Sequence, residues 1–242
     1  MRQATAQTNG IQLLTFDAVG TLIRPHPGVG AVYSAVMTQH GYPATAKAVE
    51  RQFRHCIKNY TVYRKAHPVT PADRAYWRAI VSDSIAPWVA DAAARERIFE
   101  QLYQEFAAPE QWRILPAVPE TLAKLRDRGH RLAVLSNADQ RFHHVLAALE
   151  LTPYFEAIFL SGEIGHEKPD RRIFRHVERH YALPPEAICH IGDSPMHDIA
   201  GARDAGWQAL QVGDGGSLRF ADLPQQLPPP HRPRLDGEPL HA

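Results

Sequence analysis

The stretch from residue 11 to residue 23, IQLLTFDAVGTLI, constrains the fold more than any other part of the chain. Its apolar run, LLTF, ends at Asp17, and Gly20 and Thr21 then favour a turn over a longer strand. A buried strand that ends at a carboxylate places that carboxylate at the strand's carboxyl end, which is where open parallel sheets bind ligands. The stretch therefore predicts a strand with a functional group at its end, although a single aspartate in this position is more often simply the start of a loop.

Two later stretches of the chain have the same arrangement. RLAVLSN is an apolar run that ends at Ser136 and Asn137, and AICHIGDS is one that ends at Gly192 and Asp193. From residue 116 to residue 212, helical patterns alternate with short apolar strands, which predicts a parallel sheet with helices on both faces. We therefore expect the three polar strand ends to converge on one site.

Residues 31 to 107 show helical periodicity with no strand-like alternation. Apolar side chains recur at helical spacing in two segments: Val49, Phe53, Cys56, Ile57 and Tyr60 in the first, and Phe99, Leu102, Tyr103 and Phe106 in the second. Two further helices are expected, near residues 31–40 and 72–85. The region is predicted to be a four-helix insertion that divides the sheet domain in the sequence.

The predicted fold class is therefore α/β, a doubly wound, Rossmann-like parallel sheet with an inserted helical cap domain. We assign residues 10–23 and 115–215 to the sheet domain and residues 24–114 to the cap. Within these, residues 24–30, which are rich in Pro and Gly, and residues 108–115 are interpreted as linkers.

The composition bears on partners and location. With 242 residues and a net charge of +1, the chain gives no reason to expect nucleic acid or a membrane as a partner. It has no run of 18 apolar residues, its N-terminus lacks the apolar core of a signal peptide, and Cys56 and Cys189 are interpreted as reduced thiols. These features predict a cytoplasmic protein. The proline-rich residues 222–242 are predicted to be a disordered tail.

The order of the polar motifs carries more information than any one of them. Asp17 is followed by Ser136-Asn137, by Lys168-Pro169-Asp170, and then by Gly192-Asp193-Ser194 with Asp198. Together they resemble the four-motif signature of the haloacid dehalogenase-like (HAD) hydrolase superfamily, and most closely the subfamily with a helical cap after the first motif. The resemblance covers residues 11 to 213, which is nearly all of the predicted folded part.

The resemblance implies roles for five side chains. Asp17 would be the nucleophile, and Lys168 would neutralise both the nucleophile and the phosphoryl group. Thr21, Ser136 and Asn137 would bind the phosphoryl oxygens, with help from the N-terminus of the next helix. Without the resemblance, the ordinary interpretations are a turn-capping aspartate, a Ser-Asn turn and a solvated lysine.

Asp193 and Asp198 point to a metal. They are five residues apart, at the end of a strand and in the first turn of a helix, and Mg²⁺ prefers such carboxylate oxygens together with a phosphate. The resemblance implies that Asp17 and the backbone carbonyl of Val19 complete the Mg²⁺ shell. The alternative for Asp198 is a helix N-cap.

Val19 departs from the family pattern. Most phosphatases that the sequence resembles have an aspartate two residues after the nucleophile, which protonates the leaving oxygen and later activates water. Valine transfers no proton, so three hypotheses remain open. The substrate has a good leaving group, a cap residue such as His26 or Tyr33 substitutes, or the protein binds a phosphorylated ligand with little turnover.

The predicted function is a Mg²⁺-dependent hydrolase, a phosphatase that acts on a small phosphorylated metabolite through an aspartyl-phosphate at Asp17. One alternative is a haloacid dehalogenase-type hydrolase, which Val19 fits but Asp193 does not, because dehalogenases resemble one another in having Ser or Asn there. Another is a phosphate-binding regulatory protein. A phosphonatase-like Schiff base at Lys47, Lys58 or Lys65 is a weaker hypothesis. The expected assembly is a monomer or a homodimer.

Overall fold

The computed structural model describes residues 10–66, 74–213, 216 and 218–230, with side chains for all of these except 60–66. The strands are β1 (Leu13–Phe16), β2 (Ile23–Pro25), β3 (Trp112–Ile114), β4 (Arg131–Ser136), β5 (Ala157–Leu160), β6 (Ile188–Gly192) and β7 (Gln208–Gln211). Five of them form one parallel sheet in the order β5-β4-β1-β6-β7. No helix within the described ranges is long and apolar enough to cross a membrane.

Strand β1 lies in the middle of this sheet, between β4 and β6. Its side chains alternate between two hydrophobic layers, with Leu14 and Phe16 in one and Leu13 in the other. All four of its residues are buried, because helices cover both faces of the sheet. The predicted α/β fold with a doubly wound parallel sheet is confirmed.

Four helices lie between β2 and β3 in the sequence, as predicted for the insertion. They are α1 (Val29–Gln39), α2 (Ala46–Ala66), α3 (Arg74–Ile85) and α4 (Ala92–Glu105). They bury a separate apolar cluster that includes Val36, Met37, Val49, Ile85 and Ile98. We call this unit the cap. The domain boundaries predicted at residues 23–24 and 114–115 stay predictions.

The two predicted linkers instead contribute paired strands. Residues Ile23–Pro25 and Trp112–Ile114 form a two-stranded antiparallel sheet, with Arg24 opposite Arg113. The interpretation of 24–30 and 108–115 as linkers without secondary structure is therefore wrong for these residues. Strands of three residues are too short to show alternation, and their pairing joins positions that are far apart in the sequence.

The second half of the chain alternates strands with helices. These are α5 (Val118–Asp127), α6 (Arg141–Ala148), α7 (Ser161–Ile164), α8 (Arg171–Tyr181), a π-helical turn (Pro195–Ala200), α9 (Gly201–Asp204) and α10 (Leu223–Gln226). Short 3₁₀ turns precede β3, β5, β6 and α10. Helices α5, α6 and α8 lie between the strands in the order that the sequence pattern predicts.

The proline-rich segment is a correction to the sequence prediction. Residues 222–242 were expected to be disordered, but helix α10 lies within them. Leu223 and Leu227 are fully buried in the same apolar cluster as Phe16. The prediction is therefore wrong for the start of this segment, because apolar residues between the prolines anchor it on the sheet domain. Residues 231–242 lie outside the described residues.

Candidate active site

The carboxyl ends of the three central strands meet, as the parallel pairing requires. Asp17 directly follows β1, Ser136 is the last residue of β4, and β6 ends at Gly192, next to Asp193. The backbone N–H of Asp17 donates to the carbonyl of Ile191 on β6 at 2.9 Å, which fixes the end of β1 beside β6. The hydroxyl of Ser136 donates to Asp17 Oδ1 at 3.2 Å. The structure thus brings together the strand ends that the sequence singled out.

Lys168 is the cation at the centre of this group. Its Nζ donates to Asp17 Oδ1 at 2.9 Å and lies 2.6 Å from Asp198 Oδ1. A further hydrogen bond of 2.7 Å goes to the carbonyl oxygen of Leu135 on β4. With 1% of its surface exposed, Lys168 is a buried charge that is paired with two carboxylates. It is not a solvated surface lysine.

Asn137 holds the backbone of Lys168 in place. Its amide nitrogen donates to the carbonyl of Lys168, and its amide oxygen accepts from the N–H of Lys168, both at 2.8 Å. The amide oxygen and one of the two amide N–H groups of Asn137 are therefore in use. A contact from Asn137 to a phosphoryl oxygen would come from its second amide N–H or its backbone N–H, and the predicted phosphate-binding role stays a prediction.

Three carboxylates form a candidate metal site. Asp17, Asp193 and Asp198 each offer one oxygen, and these oxygens all lie within 4.8 Å of one another. Gly20, with φ of +93°, leaves room for this approach, because a Cβ there would lie 2.5 Å from Asp193 Oδ2. A set of hard oxygen donors fits a divalent cation such as Mg²⁺. The role predicted for the Val19 carbonyl as a further ligand stays a prediction.

Burial and charge act on these groups in different directions. Burial raises the pKa of Asp17, although the charge of Lys168 acts against it. Burial also opposes ionisation of Asp198, but Lys168 and His190 outweigh it and hold the pKa of this carboxyl below its usual range. Burial would lower the pKa of Lys168, yet the two carboxylates raise it. The pKa of Asp193 rises to about 6, through burial first and then through its acidic neighbours. The site has more negative charge than one lysine offsets, which suits a bound cation.

Asp193 precedes the π-helical turn Pro195–Ala200, and Asp198 lies within it. The N–H of Ser194 donates to Asp198 Oδ2 at 2.9 Å, while Ser194 itself caps the π-helical turn by accepting from the N–H of His197. Asp198 lies inside that turn and is 1% exposed, so it is not an N-cap. Gly192 permits this arrangement, since a Cβ there would lie 2.3 Å from Asp198 Oδ2.

His190 is a site residue that the sequence analysis missed. Its Nε2 lies 3.2 Å from Asp198 Oδ1 and 3.3 Å from Lys168 Nζ, and its Nδ1 lies 2.8 Å from the hydroxyl of Thr15. Burial and the charge of Lys168 lower the pKa of the imidazole, which favours its neutral form. A signal was present in the sequence: Thr15 and His190 are polar residues in otherwise apolar strands, two and three positions before Asp17 and Asp193.

Val19 stands where the family pattern has a general acid, and the residues near it in the sequence differ in their exposure. Val19 is 38% exposed, whereas Thr21 is 1% exposed and its hydroxyl has no hydrogen-bond partner among the described residues. His26 is exposed, and Tyr33 is buried in the cap with a pKa that burial raises well above its ordinary value. A tyrosine that holds its proton so firmly is a weak acid, so Tyr33 is poorly suited to protonate a leaving group, and the substitution by His26 stays a prediction.

An apolar cavity of about 270 Å³ lies between the cap and the sheet domain. Val19 and Asn137 contribute to its wall, so it adjoins the site at Asp17. Aromatic rings from both units line it, among them Tyr33, Phe53, Phe99, Phe106, Trp112 and Phe142. Lys47 and Lys58 are exposed and do not line it, and the side chain of Lys65 lies outside the described residues.

Arg141 connects the two units beside this cavity. Its Nε and Nη2 donate to the two carboxylate oxygens of Asp139 at 2.8 and 2.7 Å. Its Nη1 donates to the backbone carbonyl of Tyr103 in α4 at 2.7 Å, and the guanidinium carbon lies 3.5 Å from the centre of the Tyr103 ring. The sequence analysis did not identify Arg141, because its partner in the cap is 38 residues away.

Comparisons with known proteins agree with this arrangement. The family profile of the haloacid dehalogenase-like hydrolases matches residues 11–206 of this chain. The human haloacid dehalogenase-like hydrolase domain-containing protein 3 is 34% identical over 207 residues, which cover 84% of this chain and 82% of that protein. A phosphoserine phosphatase from Thermus thermophilus is 29% identical, over 85% of this chain and 90% of the phosphatase.

Solved structures of the same shape include two kinds of protein. The HAD-hydrolase YfnB from Bacillus subtilis, bound to magnesium, superposes with a TM-score of 0.68 at 19% identity, over 84% of this chain and 89% of that one. A dehalogenase superposes with a TM-score of 0.66 at 22% identity, over 88% and 89% of the two chains. At these identities the superpositions show a shared fold.

Proposed function

The chain belongs to the haloacid dehalogenase-like hydrolase family, and from this premise we propose that it is a Mg²⁺-dependent phosphatase. The observation that carries the proposal is the group of three carboxylates, Asp17, Asp193 and Asp198, around the buried Lys168. Asp193 favours a phosphatase over a dehalogenase, since the dehalogenases that the sequence resembles have Ser or Asn in its place. The relative named phosphoserine phosphatase supports the same choice.

The proposed nucleophile is the Oδ2 atom of Asp17. Its other oxygen, Oδ1, accepts from both Lys168 and Ser136, while none of the described residues donates to Oδ2. Attack by Oδ2 on phosphorus forms an aspartyl-phosphate and breaks the bond to the leaving oxygen. Water then attacks phosphorus, the Asp17–phosphorus bond breaks, and the carboxylate and inorganic phosphate are released.

The other groups of the site offset negative charge or bind the phosphoryl group. Lys168 offsets negative charge as the phosphoryl group approaches Asp17, and the unpartnered hydroxyl of Thr21 is available to a phosphoryl oxygen. Asp17, Asp193 and Asp198 would hold Mg²⁺, which when bound offsets repulsion between carboxylate and phosphate. The proposed substrate is a small phosphorylated molecule.

Val19 limits the choice of leaving group. It occupies the position of the usual general acid and transfers no proton, and burial makes Tyr33 a poor replacement acid. We therefore expect substrates whose leaving oxygen needs little protonation, such as aryl or acyl phosphates. Halide also leaves without a proton, so carbon–halogen hydrolysis at Asp17 is the second candidate function that Val19 favours.

Hydrolysis of 4-nitrophenyl phosphate with Mg²⁺ tests the proposal, with wild type, Asp17→Asn and Val19→Asp side by side. We expect wild type to release phosphate and to stop when a chelator removes the metal. Asp17→Asn should lose at least about a thousandfold in kcat, because the nucleophile is gone. Val19→Asp should gain about 10²–10⁴-fold on alkyl phosphates, which need a general acid.

Two outcomes would favour the other functions. Metal-independent chloride release from 2-chloropropionate, without phosphate release from any ester, would identify a dehalogenase. Thermal stabilisation by phosphorylated ligands without turnover, and activity only in Val19→Asp, would identify a binding protein.

A further inference from the structure

We propose that the leaving group of the substrate is an uncharged, apolar aromatic group that fills the cavity between the cap and the sheet domain. This inference rests on the proposed phosphatase function and adds the chemical class of the substrate. The cavity adjoins the reacting group, because Val19, two residues after Asp17, and Asn137, next to Ser136, both line it. A group that leaves from phosphorus at Asp17 would therefore enter the cavity.

The size of the cavity suits one or two fused rings. Its volume is about 270 Å³. An apolar protein cavity of about 150 Å³ is large enough to bind benzene. Rings from the cap, such as Phe53 and Phe99, face it together with Trp112 of β3 and Phe142 of α6. Flat aromatic groups make offset or edge-to-face contacts with such walls.

The polar groups of the wall have little capacity for a charged leaving group. Arg141 is the one charged residue among the described residues that line the cavity. Asp139 already pairs one edge of its guanidinium, through Nε and Nη2, and the Tyr103 carbonyl accepts from Nη1. The amide of Asn137 is bonded to the backbone of Lys168.

An ammonium on the leaving group would find no carboxylate among the described residues that line the cavity. A carboxylate would meet the indole N–H of Trp77 and a guanidinium whose charge Asp139 already offsets, so burying either charge there is costly.

The same reasoning separates this chain from a phosphoserine-type specificity. Serine leaves as an alkoxide that needs protonation, and it carries an ammonium and a carboxylate that the cavity does not pair. An aryl leaving group avoids both difficulties, since a phenolate needs little protonation and its ring is apolar. Val19 thus suits an aromatic leaving group in two ways. It supplies no proton, which this leaving group does not need, and it forms part of the apolar wall of the cavity.

A matched pair of substrates separates recognition of the leaving group by the cavity from the acidity of that leaving group. 4-Methylphenyl phosphate and free phosphotyrosine both release a phenol of similar acidity, but only phosphotyrosine carries an ammonium and a carboxylate. We expect kcat/KM to be at least about tenfold higher for 4-methylphenyl phosphate, because the buried charges of phosphotyrosine lack partners. 1-Naphthyl phosphate should be accepted at least as well as the methylphenyl ester.

Substitutions at Val81, an α3 residue that lines the cavity, test the cavity itself. Val81→Phe should lower kcat/KM for 1-naphthyl phosphate at least about tenfold relative to acetyl phosphate, whose leaving group is small. Val81→Ala should change the same ratio in the opposite direction or leave it unchanged. Binding of 2-naphthol, followed by the fluorescence of Trp77 and Trp112, checks occupancy without turnover and should weaken in Val81→Phe.

The outcomes separate the two proposals. If acetyl phosphate is hydrolysed but phosphotyrosine or phosphoserine is preferred to the apolar esters, the aromatic leaving group is wrong and the phosphatase stands. If no phosphate ester or acyl phosphate is hydrolysed, the phosphatase proposal fails and this inference fails with it. Equal effects of Val81→Phe on the naphthyl and acetyl substrates would also overturn the inference.

Discussion

At the scale of single residues, Lys168 decides whether three carboxylates can share one site. Its ammonium group lies between Asp17 and Asp198, at 2.9 and 2.6 Å from their oxygens, in a position that solvent barely reaches. Without this cation, two buried carboxylates would face each other with no compensating charge. The same lysine that would serve the reaction therefore also stabilises the folded protein.

Replacing Lys168 by Met should reduce stability in a pH-dependent way. At pH 7, with a chelator present, we expect a loss of about 3–5 kcal/mol in the free energy of unfolding, because two buried charges lose their partner. Lys168 stabilises the fold because its pKa is raised in the folded state, and this stabilisation is complete below its unfolded pKa. Removing Lys168 raises the pKa values of the carboxyl groups of Asp17 and Asp198. These carboxyl groups then take up protons as the pH falls, which removes their mutual repulsion in the folded variant.

The difference in unfolding free energy between wild type and Lys168→Met should therefore shrink from pH 8 to pH 5. Urea denaturation at several pH values measures it. Lys124→Met is the control, since Lys124 is exposed and its loss should change stability by less than about 0.5 kcal/mol. A difference that stays constant over this pH range would show that Lys168 does not set the carboxyl pKa values.

The site was predictable from the sequence to the extent that its residues lie at strand ends. Asp17, Ser136 and Asp193 follow apolar runs, and parallel pairing alone brings them together. His190 and Arg141 were not predictable in this way. His190 belongs to the site because its side chain points from a buried strand towards Asp198. Arg141 belongs to it because of its partner Tyr103 in the cap. Neither contact leaves a local pattern in the sequence.

At the scale of elements, the segments with a clear apolar pattern of their own were the predictable ones. Helix α8 and strand β5 occupy the predicted residues, because each has a clear apolar stripe or run. The antiparallel pair β2–β3 and helix α10 were missed for a common reason. Each has only three or four residues, and each is stabilised by contacts with distant parts of the chain, which a local pattern does not record.

The docking of helix α10 should contribute measurably to stability. Leu223 and Leu227 are fully buried against the sheet domain. Leu223→Ala or Leu227→Ala should lower the free energy of unfolding by about 2–5 kcal/mol, since each leaves a cavity in the apolar cluster. Gln225→Ala, at an exposed position of the same helix, is the matched control and should have little effect. Denaturation in urea gives the three values, and a loss below about 0.5 kcal/mol for both leucines would mean that the segment does not dock in solution.

At the scale of the whole molecule, two units with separate apolar clusters enclose the candidate site. The cap and the sheet domain are joined by the strands β2 and β3 and by contacts across the cavity. Sequence motifs name the residues at the sheet edge, but the shape of the cavity depends on side chains from four cap helices at once. For this reason the sequence predicted the type of reaction and left the leaving group open.

Arg141 should control how tightly the cap closes. It donates one hydrogen bond to the carbonyl of Tyr103 and stacks on that ring, while Asp139 fixes its orientation. Lysine keeps the charge but cannot make the paired contacts with Asp139 and still stack on the ring. In Arg141→Lys we expect faster hydrogen exchange at residues 102–106, by about tenfold, which corresponds to about 1.4 kcal/mol for cap opening.

A looser cap should also change the kinetics of aryl phosphate hydrolysis. Because the cavity is complete only when both units are in contact, KM should rise several-fold in Arg141→Lys, with a smaller change in kcat. Arg97→Lys is the matched control, an exposed arginine on the same cap helix as Tyr103, and neither exchange nor KM should change in it. Unchanged exchange in Arg141→Lys would assign the closure of the cap to the apolar contacts alone, among which the edge-to-face pair of Trp112 and Phe142 would be the next to replace.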